Sequence, residues 1–159
     1  MGELSHVDSS GAARMVDVSE KAVTTRTAVA TGVFRTTAEV IGLLRADNLP
    51  KGDALATARI AGIMAAKHTP DLVPLCHPIA ITAVRVDLAL GEDEVRITTT
   101  VRTADRTGVE MEALTAVAGA GLALHDMVKA VDPAAVLDAV RVESKDGGKT
   151  GRWTRPGDR

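Results

Sequence analysis

Two alternating runs on either side of a three-residue turn constrain this chain more than any other feature. Through residues 79–90 and 94–102 apolar and polar side chains take turns, the period of a half-buried strand. Gly91-Glu92-Asp93 between them is hairpin chemistry, so the two runs are predicted to pair antiparallel. Such a sheet buries one face against another layer and leaves the second face free. Residues 22–33 add a strand in which Val23, Thr25, Thr27, Val29, Thr31 and Val33 are predicted to face one way and Arg26 the other. Late in the chain Val140, Val142 and Ser144 alternate with Arg141, Glu143 and Lys145, ahead of Gly147-Gly148.

Helical patterns supply the second layer. Thr36 with Glu39 three residues on reads as a capping box, opening a helix to about Arg45 that Asn48-Leu49-Pro50-Lys51-Gly52 breaks. Asp53 caps a second helix to about Lys67, in which Ala54, Ala58, Ala61, Gly62 and Ala65 make a small-residue stripe suited to close packing. Thr69-Pro70 ends it, and 71–78 is predicted as loop. A long helical pattern over 109–131 closes at Asp132-Pro133. The order β-α-α-β-β-α-β predicts an α+β fold: a ferredoxin-like, four-stranded antiparallel sheet with helices on one face and one extra helix. With no repeat or linker, 1–159 is predicted as a single domain with an N-terminal arm at 1–15 and a flexible tail at 152–159.

Composition narrows the function. At 159 residues and 45% hydrophobic content, the chain can bury a core without disulfides. One Phe, one Trp and no Tyr leave few platforms for stacking bases, and a net charge of −2 does not suit a phosphate backbone. Nucleic acid is therefore not expected as a partner. Cys76 stands alone, without a CxxC pair. No signal pattern or membrane-length apolar run is present, which predicts a soluble, cytoplasmic protein. Neither a metal site nor a cofactor is expected.

Candidate site residues are few, and each has a bland reading. His77 precedes Pro78, which holds it extended in a loop entering a strand; it is either a ligand contact or an ordinary partner-bonded histidine. Cys76 reads as a small buried filler. Lys51 lies at a helix start that favours phosphate, although a solvated loop lysine is the commoner case. Lys67-His68 could simply complement a helix C-terminus. Arg26, Arg85, Arg96, Arg102, Arg141 and Lys145 are predicted to share the sheet face opposite the apolar rows, offset in part by Asp87, Glu94 and Glu143. That face is solvated, or it binds an anion or another subunit. Asp126 and Lys129 are three apart on one helix face within an apolar stretch, so they form either a modest surface pair or a couple tuned for proton transfer. Glu112 shares that face about 21 Å away along the axis, and Glu110 near it reads as a helix N-terminal acid.

Taken together, these segments resemble the cyclic pyranopterin monophosphate synthases of molybdenum cofactor biosynthesis, the MoaC family. Its matching stretches include Leu4-Ser5-His6-Val7-Asp8, Ala13 to Val18, Lys51-Gly52-Asp53, Ala56 to Ile63, Pro74 to Pro78, Thr107 to Thr115, Asp126-Met127, Lys129-Ala130-Val131 and Gly147-Gly148-Lys149. The resemblance implies a homo-oligomer, a hexamer built as a trimer of dimers, with sites at subunit interfaces. It implies conversion of 3′,8-cyclo-7,8-dihydro-GTP to cyclic pyranopterin monophosphate with release of pyrophosphate, a lyase reaction. By the same resemblance Asp126 matches the active-site aspartate, with Lys129 and Lys51 the expected proton-moving partners. Leu75, Cys76 and His77 match one substrate-binding segment, Met111 and Glu112 another. Arg26, Lys67 and Lys145 match further cationic positions. His125 stands where Tyr is frequent in the family and His68 where Arg is common. Two other classes remain in view, a non-catalytic anion-binding scaffold and a metal-dependent nucleotide phosphohydrolase. An acid inside the pocket counts against the first, and the lack of a carboxylate cluster for Mg²⁺ against the second.

Overall fold

A computed structural model describes residues 6–157. It has an α+β architecture: β1 (Thr24–Arg35), α1 (Ala38–Arg45), α2 (Ala54–Lys67), α3 (Thr69–Leu72), β2 (Ile81–Leu90), β3 (Glu94–Asp105), α4 (Glu110–Val128), β4 (Val136–Asp146) and β5 (Trp153–Thr154). All strand pairs are antiparallel, in the order β2-β3-β1-β4-β5. The 79–102 hairpin forms as expected, and β1 enters between β3 and β4.

The sheet has five strands, where the sequence predicted four. The extra one lies in the tail, whose polar composition carries no strand period. Main-chain pairing of Trp153 with Lys145 and of Thr154 with Ser144 holds it, and the Arg155 Nε donates to the Val142 carbonyl at 2.7 Å. The 71–78 loop begins with the single turn of α3. Of the expected N-terminal arm, residues 1–5 lie outside the described part; the remainder forms an exposed turn in which Val7 bridges Ala13 and the Asp8 carboxylate accepts from the Ser10 and Ala12 amides.

The buried row of β1 is the opposite of the predicted one. Ala28, Ala30, Gly32 and Phe34 face the helices, while Thr27, Val29, Thr31 and Val33 lie on the open face beside Arg102, Thr100, Thr98 and Arg96. Size explains the reversal. Helices α2 and α4 lie so close to the sheet and to each other that small residues are needed at their contacts. A Cβ on Gly62 would stand 2.9 Å from the Ala116 carbonyl oxygen and 3.3 Å from the Ala120 Cβ. β-branched Val and Thr are left to the outer face, where they fit the pleat. The α2 stripe is seated by Ala54, Ala58, Gly62 and Ala66, and the core continues through Ile41, Val86, Ile97, Val101, Val117 and Leu124.

This parity also divides the predicted cationic face. Arg85, Arg96, Arg102 and Arg141 lie on the open side, but Arg26 shares the helix side with Ala28. Register shifts in β4 bring Lys145 opposite Ala28, on the helix side as well. On the open side Arg141 and Thr31 both reach the Glu143 carboxylate, at 2.7 and 2.6 Å, and Arg35 bridges Glu94 and Asp138.

Candidate functional site

Helix α4 carries the candidate chemistry at its two ends. Its last turn presents Asp126, and Lys129 follows as the C-cap. The Lys129 Nζ lies 2.7 Å from one Asp126 oxygen; the Lys51 Nζ lies 2.9 Å from the other. Lys51 arrives from a separate element for local reasons. Leu49 is buried, Gly52 turns the chain at φ +95° and donates to the Leu49 carbonyl, and Asp53 starts α2 by accepting from the Ala56 amide at 2.9 Å. The left-handed turn at Gly52 is one a side chain would resist. All three charged groups remain about half exposed, so their contribution to stability is small. Hydrogen bonds from Lys129, then from Lys51, hold the Asp126 carboxyl down at about 2. Each ammonium has three donors, which leaves hydrogens free for a ligand. The arrangement is an ionised acceptor flanked by two donors, open to solvent.

The first turn of α4 is built differently. Glu112 is only 3% exposed, and burial, with the Glu110 charge adding to it, pushes its carboxyl up to about 7. Such a group can donate or accept near neutrality. Cys76 is half-buried; burial raises its thiol pKa, and the Glu112 charge adds to the rise, so the 75–77 loop and the 111–112 turn meet here. The thiol is accordingly a filler, not a nucleophile. His77 approaches Asp17, whose carboxyl is lowered chiefly by the Ser19 amide and hydroxyl and further by His77. Asp17 is a neighbour that the sequence offered only as one member of a matched segment. Lys145 pairs with Glu110 at 3.0 Å. Arg26 donates to the carbonyls of Asp105 and Arg106, at 3.2 Å each, and lines a narrow cleft of about 30 Å³ with Lys145, Glu110 and Gly147. Lys67 is exposed in the last turn of α2, and Leu75 and Met111 are partly exposed.

The structure therefore brings Lys51, Asp126 and Lys129 together at one end. It brings Cys76, His77, Glu112, Arg26 and Lys145 to the other. Fourteen helical residues, about 21 Å, separate Glu112 from Asp126. Helix α2 lies over the stretch between, with Ala61 and Ala65 against Gly119. Among the described residues no group of three or more His, Cys, Asp and Glu side chains could hold a metal ion, and no helix is long and apolar enough to cross a membrane. His68 pairs with Asp71 at 2.9 Å, and His125 meets Phe34 edge to face.

Fold and site together define an α+β protein with an ion-paired aspartate at one helix end and a buried, proton-holding glutamate at the other. The MoaC family model matches residues 15–148, and the chain belongs to the MoaC family. It is 63% identical over 154 residues to cyclic pyranopterin monophosphate synthase 2 of Mycobacterium tuberculosis, covering 97% of this chain and 92% of the relative. The cyclic pyranopterin monophosphate synthase of Streptomyces coelicolor is 64% identical over 152 residues, covering 96% and 89%. That of Nocardioides sp. is 62% identical over 156 residues, covering 96% of each.

Proposed function

We propose that this chain is a cyclic pyranopterin monophosphate synthase of molybdenum cofactor biosynthesis. Its reaction is the conversion of 3′,8-cyclo-7,8-dihydro-GTP to cyclic pyranopterin monophosphate and pyrophosphate, in the lyase class. Near-full-length identity to synthases supports the activity. The observation that carries the chemical reading is Asp126 clamped between ammonium groups from two elements. Ring opening moves protons at nitrogen and oxygen, which suits Lys51 and Lys129 oriented by Asp126. A ribose oxygen then attacks the α-phosphorus, the bond to the β-phosphate oxygen breaks, and pyrophosphate leaves. Cations stabilise the charge that develops. Arg26, Lys67 and Lys145 serve as phosphate contacts, and Leu75, Cys76, His77, Met111 and Glu112 supply the remaining substrate contacts.

In this reading the subunit is ferredoxin-like with an added edge strand, the order β2-β3-β1-β4 being that arrangement read from one side. The assembly is a cytoplasmic hexamer, a trimer of dimers. Within one chain the two α4 ends are too far apart to flank the same reacting atoms. Each site accordingly takes Asp126 from one subunit and Glu112 from its partner. The outer face of α2, where Ile60 is 58% and Met64 53% exposed one turn apart, offers an apolar surface for a two-fold contact. Incubation with the cyclised dihydro-GTP is the test: cyclic pyranopterin monophosphate and pyrophosphate should appear in equal amounts, and their absence with folded protein overturns the assignment.

A further inference from the structure

Trp153 is the chain's single tryptophan, and with Phe34 fully buried and no tyrosine it is the one large aromatic side chain, histidines aside, at the surface. It is 38% exposed. The tail does not leave it loose. Main-chain pairing opposite Lys145 fixes its position, and the next residue is tied down twice, by the Arg155 amide to the Glu143 carbonyl and by its Nε to the Val142 carbonyl. The Arg155 guanidinium lies over the ring, 5.8 Å from its centroid, a cation–π contact that steadies the indole.

Trp153 and Val142 wall an open, mainly apolar notch of about 330 Å³ whose polar rim is Lys145 and Glu110. Those two rim residues also border the narrow polar cleft containing Arg26, Asp146, Gly147 and Thr150, where two cations face two carboxylates. An aromatic notch thus adjoins a cation-bearing cleft across a shared Lys145–Glu110 wall. That pairing matches a molecule with a flat heterocycle at one end and phosphate at the other. The volume is at the small end of ligand sites, enough for a bicyclic or tricyclic ring.

We propose that Trp153 is the stacking platform for the guanine-derived ring of the substrate, with the phosphate end directed to the Arg26 cleft. This rests on the function proposed above and adds a residue outside the matched segments. The ring sets affinity, not the rate of proton transfer, because an indole does not titrate and carries none of the protons that move.

The lone tryptophan makes the test direct. Titrating the intact protein with GTP should quench or shift Trp153 emission saturably, whereas inorganic tripolyphosphate should leave it unchanged. Trp153→Leu should raise KM for the cyclised dihydro-GTP about tenfold with kcat within about twofold, the size expected for one lost stacking contact; Trp153→Phe should recover most of the loss. The proposal is overturned if calorimetry detects no GTP binding, or detects binding with no change in emission. An unaltered KM in a folded Trp153→Leu protein overturns it too. Emission that follows protein dilution and ignores GTP would place a second copy on the ring, against the proposal. If the parent protein makes no product, the proposed activity falls, while the GTP titration still decides the site.

Discussion

The two ends of α4 hold acids on the same helix face and treat them in opposite ways. Asp126 stands half in water between two ammonium groups, and its carboxyl is held at about 2. Glu112 is sealed at the other end with another carboxylate nearby, and its carboxyl rises to about 7. The difference lies in surroundings, not residue type. An exposed acid with donors on both sides remains charged, whereas a buried acid without a cation remains neutral until the pH is high enough to force ionisation. A reaction that moves protons on a charged substrate can use both states, one to orient ammonium donors and one to exchange a proton near neutrality.

The largest expected effect falls at the exposed end. Asp126→Ala and Lys129→Ala should each lower kcat by about 10²–10⁴-fold, with little change in melting temperature because half-exposed pairs contribute little stability. Steady-state assays with parallel melting scans check this. Parental turnover in either variant would remove the exposed end from the chemistry.

At the buried end the effect is on stability. Unfolded Glu112 releases its proton near 4.5, but folded Glu112 keeps it to about 7. The folded state therefore binds more protons across that window, so stability falls as pH rises from about 4.5 to 7 and levels off above. The shift corresponds to about 3 kcal/mol. Urea unfolding at pH 5 and pH 8 should show Glu112→Gln gaining about that much relative to the parent at the higher pH. The same pH dependence in both proteins would mean that Glu112 is not held neutral.

A smaller effect separates the ends by their scaffolding. Asp53→Ala removes the cap that starts α2 two residues after Lys51, at a cost of about 1 kcal/mol. It should lower the melting temperature by about 2–4 °C and loosen Lys51 while leaving the Glu112 pH dependence intact. A lost pH dependence would show that the ends are mechanically one unit.

Much of this scaffold was legible in the chain. Asp53 caps where its side chain and the following Ala-rich run said it would, and Gly91-Glu92-Asp93 makes the hairpin. Local chemistry decides those features. The first helix cap was displaced by one residue: Thr37 accepts from the Val40 amide, while the Thr36 hydroxyl donates to buried Asp132. That partner is ninety-six residues away and leaves no local signal. The parity of β1 was misread because hydrophobicity favoured Val and Thr, whereas close helix packing selects Ala and Gly. Bulges in β4 moved Lys145 to the helix side, and a strand ladder with no alternation fixed the tail. The candidate site segments were visible as patterns, but their separation to opposite ends of α4 depends on how α2 and the 75–77 loop dock.

The central claim is that these ends meet only between subunits, and mixed assembly tests it most directly. Glu112→Ala and Asp126→Ala proteins, each nearly inactive alone, are unfolded, combined in equal amounts and refolded, with sizing to establish normal assembly. A mixed dimer then holds one site with both lesions and one with neither. With random pairing half the dimers are mixed and half their sites intact, so activity should return to roughly a quarter of the parent's. Correctly assembled mixtures that remain as inactive as the separate variants would contradict the shared site.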